Sequence, residues 1–530
     1  MVTPPSDDEK NPFGEPTTRR RLFEIERASD FWNRKPQLQF IYHAAQRENV
    51  SPWGLLAVCM AHRLSHIPPN VVLVKPSGDE GATLAAGTSL NAFVGLVAPP
   101  GRGKSVTFRL ATELIPPKGM PLPDGTGQGI VKAFGERAKI SKDDEGKPLD
   151  VPYVVTRYHT HALVLHAPEV TTLNAEFVRE GSKTAGMMRS LWVGETVGMT
   201  NAERERAGAI NSNMARLCGI WGVQPQNAVA IMDQVADGTP QRFLWVPARD
   251  RRFRHHPELL TNVGHPPQNT SFPFPVFGNT PPGIAMGTTL PMELRDDDPL
   301  PEAIWVHRTA DMDAAVKAAD DAYEAALGDY EEYDEVPSDV ADKLNAAVMQ
   351  SHAVLMRIKL AAKLGFLWGN TEPDATDWEL AGVLLELSTA EAAGVWSRCA
   401  AEAKKEAAAR GTTRGVEQDA ADVARNMAKA ARVEDVASTV YTVLAREGGC
   451  TEKALARPLA ATKRPYIRDA LRHLEDNGKA EYDGARWYAL YKGNKVTKDD
   501  KPARSEAPVK LDRAKFEAAE ALEAAHRAGV

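Results

Sequence analysis

Between residues 90 and 250 the apolar positions gather into short unbroken runs, whereas elsewhere they recur at helical spacing. "NAFVGLVA" (91–98), "HALVLHAPEV" (161–170), "ARLCGIWGVQP" (215–225) and "QRFLWVP" (241–247) are such runs. They have the length and pattern of parallel strands buried on both faces. Helical stretches lie between them. "KSVTFRLATELI" puts Val106, Leu110, Ala111 and Leu114 on one face until Pro116 and Pro117 stop it. "PDGTGQGIVKAFGERAK" reads as a glycine-rich turn feeding a helix. Strands alternating with helices predict an α/β sheet over residues 71–256.

The flanks differ. Residues 1–28 are polar and proline-rich, and are expected to form a disordered tail. Residues 29–70 read as helices, with Ser51 and Pro52 as an N-cap and first-turn pair, followed by a short strand in "PPNVVLVKP". Residues 257–301 are dense in proline and read as a connection. Residues 302–432 are alanine-rich and helical, with "DYEEYDEVPSD" as a solvated loop. Residues 433–491 then give three helices, a glycine turn and a two-stranded wing, the order of a winged helix-turn-helix. Residues 492–530 read as a polar, partly helical tail.

Composition narrows the function classes. The 530 residues carry a net charge of −7, so a nucleic-acid contact requires a local basic patch. Cys59, Cys218, Cys399 and Cys450 lie far apart without zinc-ligand spacing, and read as buried thiols of a reducing compartment. No signal-like segment and no run of about 18 apolar residues occurs, so a cytoplasmic protein without a membrane partner is expected.

The candidate chemistry begins at "GLVAPPGRGKS" (95–105). It ends as a phosphate-binding loop ends, G-K-S, with Ala98 where the pattern G-x-x-x-x-G-K-[ST] has its first glycine. Pro100, Gly101, Arg102, Gly103, Lys104, Ser105 and Val106 are the expected nucleotide contacts. The glycines allow backbone N–H groups to curl around a phosphate at a helix N-terminus. Lys104 would reach the β- and γ-phosphates of ATP, and the Ser105 hydroxyl would coordinate Mg²⁺. Glu169, just past a strand, is the candidate for polarising water, and Gln224, at another strand tip, for sensing the γ-phosphate. Arg242 is a candidate arginine finger, in cis or across a subunit interface, with a structural ion pair as the competing reading. His159 and His161 share one face of a strand but His166 has the opposite parity, so they read as strand or loop histidines rather than a metal cluster.

These motifs also carry a resemblance. "FWNRKPQLQFIYHAAQRENVSPWGLLAVCMAHRL", "PPNVVLVKP", "SLNAFVGLVAPPGRGKS", "LVLHAPEV", "MRSLWVGETVG", "GVQPQNA" and "GTPQRFLWVPARD" follow in order. Over roughly residues 30–400 the chain resembles the primase-associated, helicase-like P-loop ATPases of actinobacteria, their phages and mobile elements. The resemblance implies a RecA-like core driven by ATP, with Pro168–Glu169, Gln224–Pro225 and Gln241–Arg242–Phe243 at motif positions. It also implies a helical lid around "RIKLAAKLGFLWG", in which Arg357 is a second candidate phosphate sensor or a helix-surface charge. The chain departs from the pattern at Ala167, where relatives often carry a further acid. Only about 30 residues precede the helicase-like part, so priming would fall to a separate primase.

In the winged-helix region Lys453, Arg457, Lys463, Arg464, Arg468 and Arg472 crowd the second and third helices, and Arg486 lies in the wing. Between 453 and 472 only Asp469 is acidic, although residues 434–490 as a whole hold nine basic and nine acidic residues. Such segregation can seat a helix on DNA, while docking to another protein is the alternative. The expectation is therefore an α/β chain with a RecA-like P-loop ATPase core, flanking helices and a C-terminal winged helix. It would serve as an ATP-driven DNA replication motor or loader of a phage or mobile element, as a homo-oligomer that a ring would suit. The alternative is a DNA-binding initiator or regulator switched by nucleotide without significant unwinding. A metabolic P-loop kinase fits the winged helix poorly.

Overall fold

The computed structural model describes residues 11–16, 18–74, 83–123, 125–142, 145–179, 182–198, 209–277, 290–331, 335–491 and 493–497. Most of the expected 492–530 tail, residues 1–10 of the N-terminal tail, 278–289 of the proline-dense connection and 332–334 of the acidic loop lie outside them. The chain divides into two compact units, Met1–Lys404 and Lys405–Val530.

The first unit is built on a four-stranded parallel sheet. Its order is Ala162–Ala167, Arg216–Val223, Ala92–Val97, Phe243–Pro247. All four strands were legible as apolar runs because both faces are covered, which removes the alternation of a half-exposed strand. The helix Pro52–Ser65 packs against all four, and every one of its residues is buried. Each edge strand also meets a partner outside the sheet. At one, the Trp245 N–H donates to Ser388 Oγ at 2.8 Å. At the other, Leu122 bridges Leu165 in the parallel sense.

Three features depart from the sequence expectation. Arg19–Ser29, within the stretch read as tail, is a helix capped by the Thr18 hydroxyl. Its Glu26 is fully buried and bonds the Arg252 guanidinium at 2.8 and 2.9 Å, with Asp250 on the same guanidinium. Trp53 Nε1 and Thr261 Oγ1 also donate to Glu26. This partner lies 226 residues away, so no local pattern could announce it. Second, Gly135–Lys142 and Pro148–Tyr158 form an antiparallel hairpin, joined by Glu293–Arg295 from the proline-dense connection. Third, Val71–Leu73 pairs in parallel with Ile304–Val306 in a separate two-stranded sheet.

The helices Ala310–Leu327, Ser338–Leu367 and Ala375–Glu447 form the expected alanine-rich region. The expected boundary at 432/433 and the division of the compact units at 404/405 both fall inside the last of these helices. The second unit has its own core of Val436, Val440, Leu444, Leu455, Ile467, Leu471 and Leu474 with neighbours. After the long helix come Glu452–Leu455, a 3-10 turn Arg464–Tyr466, the helix Ile467–Asp476, and the antiparallel strands Ala480–Tyr482, Trp487–Tyr491 and Asn494–Lys495. Cys450 bridges Trp487 and so adds a further pairing to that small sheet. Among the described residues no helix is long and apolar enough to cross a membrane.

The buried charges can be tested by substitution. Arg252→Ala leaves Glu26 and Asp250 without their cation and should cost about 3–5 kcal/mol in urea unfolding. Lys363 is buried, and burial lowers its pKa to about 7. The unfolded chain takes up a proton below its own, higher lysine pKa, whereas the folded chain does so only below about 7. Stability is therefore lost as pH falls from about 10.5 to about 7 and is not lost further below that. Lys363→Met should raise the urea midpoint, by more at pH 7 than at pH 10.

Candidate functional site

The loop "APPGRG" leaves the C-terminal end of the Ala92–Val97 strand, and the helix Lys104–Leu114 begins directly after it. Gly101 (φ 65°) and Gly103 (φ 97°) hold the left-handed backbone that lets the loop turn into the helix. No side chain caps this helix N-terminus. The loop is fastened from below: Ala98 N–H donates to Val223 O at 2.9 Å, and Thr107 Oγ1 donates to Gly103 O at 3.0 Å. Pro100, Gly101, Arg102 and Ser105 are exposed, Gly103 and Val106 are half-buried, and Lys104 is buried.

Lys104, Glu169 and Gln224 come together from three strand ends. Lys104 Nζ lies 3.0 Å from Glu169 Oε1 and donates to Ala98 O at 3.2 Å. Gln224 Nε2 donates to Glu169 Oε2 at 2.7 Å, and Gln226 Nε2 donates to Gln224 Oε1 at 3.1 Å. The Lys104 side chain is 9% exposed and that of Glu169 37%. The pair thus joins a sheltered ammonium to a carboxylate that solvent still reaches.

Parallel strand direction explains the meeting. Each residue follows its strand, so all three stand at the same edge of the sheet. The Arg216–Val223 strand lies between the loop strand and the strand that precedes Glu169. Its Gly222 makes the approach possible: a Cβ there would collide with Pro168 O and stand 3.0 Å from Lys104 Cδ. Sequence reasoning missed Gly222, which reads as one more small residue of an apolar run. Its signal is its position, two residues before Gln224 at a strand tip.

Arg242 is not brought to this group. It precedes its strand, whereas the loop follows the neighbouring parallel strand. The two ends are separated by a five-residue strand, roughly 17 Å. This placement removes the cis finger. Arg242 instead donates to Asp237 O at 3.3 Å and Gly238 O at 2.5 Å, so it is held by carbonyls rather than by the acid of an ion pair. Burial lowers its pKa, with Arg189 adding to the effect. Arg357 donates to Trp378 O and lies over the Trp378 ring, so it too has a local partner.

The histidines have separate duties. His166 stacks on Phe108 with centroids 3.5 Å apart, and burial lowers its pKa to about 4. His161 bonds Met214 O and Pro291 O, and burial lowers its pKa as well. Among the described residues no group of three His, Cys, Asp or Glu stands ready for a metal. A nucleotide-borne Mg²⁺ would meet the exposed Ser105 hydroxyl, whereas both Glu169 oxygens are taken, by Lys104 and Gln224. The position before Pro168 offers only the buried Ala167 methyl.

In the second unit, Ile467, Ala470, Leu471 and Leu474 form the buried face of their helix, leaving Arg468 and Arg472 exposed. Lys453, Arg457, Arg464 and Arg486 are exposed too. Arg464 lies in the preceding 3-10 turn, because Pro465 delays the helix, and its Nε donates to Leu459 O. Acids hold two of the expected contacts: Lys463 pairs with Asp435 at 2.5 Å, and Arg468 with Glu452 at 2.8 Å.

Gly222→Val should force Pro168 away from Lys104 and separate Glu169 from Gln224. The expected cost is about 1–3 kcal/mol in urea unfolding, as for overpacking elsewhere. An unchanged midpoint would show that the turn yields freely. No protein-family model matches the chain, and no curated protein matches it.

Proposed function

We propose that the first unit binds and hydrolyses ATP with Mg²⁺ at Gly101–Ser105, as a RecA-like P-loop ATPase. The observation that carries this reading is the Lys104–Glu169–Gln224 group at the C-terminal edge of a parallel sheet. One strand is interposed between the loop strand and the strand preceding the acid. Lys104 and Glu169 now stand in contact at 3.0 Å, so on this reading an incoming γ-phosphate takes the place of the acid on the lysine. Lys104 and the loop N–H groups hold the phosphates, Ser105 holds the metal, Glu169 accepts a proton from water, and Gln224 orients the acid. The metal's contribution is to neutralise phosphate charge.

The second unit reads as a winged helix that holds DNA. We infer a role in the DNA replication of a phage or mobile element, as a motor or loader in the host cytoplasm working with a separate primase. If it assembles as a ring, Arg242 serves only across an interface. The nucleotide-switched initiator remains the second reading, favoured by Ala167: with one carboxylate at the site, binding can outlast turnover.

Lys104→Ala should abolish ATP binding and turnover, read by calorimetry and phosphate release. Glu169→Gln should keep binding and lower turnover roughly 10²–10⁴-fold. Normal turnover in either variant would sink the assignment, and binding without turnover in the wild type would select the switch. For DNA, Arg472→Ala should weaken binding and reduce the slope of log affinity against log salt by about 1. An unaltered slope would move the second unit to protein docking.

A further inference from the structure

The loop strand has two neighbours, and the Lys104–Glu169–Gln224 group draws on only one. Toward Arg216–Val223 stand Glu169 and Gln224; on the other flank stands the Phe243–Pro247 strand. Beyond that strand, Ala248 N–H donates to Val97 O at 2.8 Å. Ala248 O accepts from Ser51 N–H at 3.1 Å and from Thr107 Oγ1 at 3.4 Å. It would lie 3.0 Å from a Cβ on Gly103, and Val50 Cγ1 would lie 3.7 Å from that same atom. Val50, Ser51 and Ala248 therefore border the phosphate loop opposite the acid, and Asn49 and Arg249 are their neighbours in the chain.

Each of these two neighbours carries one unsatisfied polar atom. Asn49 Oδ1 is buried without a hydrogen-bonding partner among the described residues, and so is Arg249 Nε. Burying a polar atom without a partner is costly, and native chains leave few such groups. Asn49 also holds φ 53°, a backbone state that asparagine tolerates better than most residues. Arg63 and Arg242 likewise leave guanidinium nitrogens unpaired, but each donates to a carbonyl through another nitrogen. One unpaired acceptor and one unpaired donor therefore belong to residues next in the chain to this border, on the flank away from Glu169.

We propose that Asn49 and Arg249 bind the nucleoside half of the triphosphate held by the loop. Asn49 Oδ1 accepts from a ribose hydroxyl or exocyclic amine, and Arg249 donates to the ribose or lies against the base. This rests on the reading of Gly101–Ser105 as a triphosphate site. It divides the ligand: terminal phosphates toward Glu169, nucleoside toward the N-terminal helices.

The test compares ATP with inorganic tripolyphosphate, which lacks the nucleoside, by calorimetry on the full chain with Mg²⁺. Arg249→Ala and Asn49→Gly are the variants; glycine accepts the positive φ and removes only the side chain. Each should weaken ATP binding about tenfold, a shift of about 1.4 kcal/mol, and leave tripolyphosphate affinity unchanged. Matched thermal midpoints would exclude unfolding as the cause. Unchanged ATP affinity in both variants overturns the inference while Lys104→Ala still reports on the loop. Equal losses for both ligands overturn it too, by assigning these residues to the phosphates. Wild-type protein that binds neither ligand overturns the triphosphate reading itself.

Discussion

A sheltered ammonium has to be answered, and much of the first unit's geometry depends on how Lys104 is answered. Removing a charge from water costs several kcal/mol unless a partner sits close by. Here the partners are Glu169 Oε1 and Ala98 O, which come from the ends of two strands that are not neighbours. Holding both within reach requires the intervening strand to carry no side chain at Gly222, and the loop to turn back at Gly101 and Gly103. Arg216, at the opposite end of the sheet, is answered differently. It is fully buried and donates to Ile67 O, Pro68 O, Val71 O, Ser89 Oγ and Asn91 Oδ1. Those fixed dipoles lock it in place as part of the framework. Lys104 is held by a carboxylate that an incoming phosphate can replace charge for charge.

The strands and the residues at their tips were legible because two physical rules leave marks in the sequence. Burial on both faces writes a strand as an unbroken apolar run, and a parallel sheet gathers the residues just after each run at one edge. Lys104, Glu169 and Gln224 all obey the second rule, and Arg242 breaks it by preceding its run. The features that stayed hidden depend on distant partners or on partial exposure. Nothing in "RRRLFEIERAS" reveals that Glu26 meets Arg252. "GERAKISK" is a strand of a half-exposed hairpin whose charges suppress any apolar run. In the second unit, the basic cluster looked free because Asp435 and Glu452 lie outside the stretch in which only Asp469 is acidic.

Those acids bear on how the second unit would meet a polyanion. The Lys463–Asp435 and Arg468–Glu452 pairs are substantially exposed, and exposed pairs contribute little to stability. A DNA phosphate can therefore displace either carboxylate at small cost. It would release fewer condensed counterions in doing so than at Arg472, Arg457 or Lys453, which pair with no acid among the described residues. The salt dependence of binding then counts the unpaired cations, while the paired ones set alignment.

The proposed nucleotide site holds a single acid. Glu169 gives one oxygen to Lys104 and the other to Gln224. In that arrangement it is poorly placed to accept a proton from water, since its lone pairs are directed at a cation and an amide. On the proposed reading, a γ-phosphate that takes over Lys104 frees Oε1 while Gln224 keeps Oε2 in place. Binding of the nucleotide then makes the base available, and no second carboxylate is needed to hold it meanwhile. With Ala167 in the neighbouring position, Ser105 would be the side chain left to hold a nucleotide-borne metal. On that reading the site favours tight coupling of hydrolysis to occupancy over a fast chemical step.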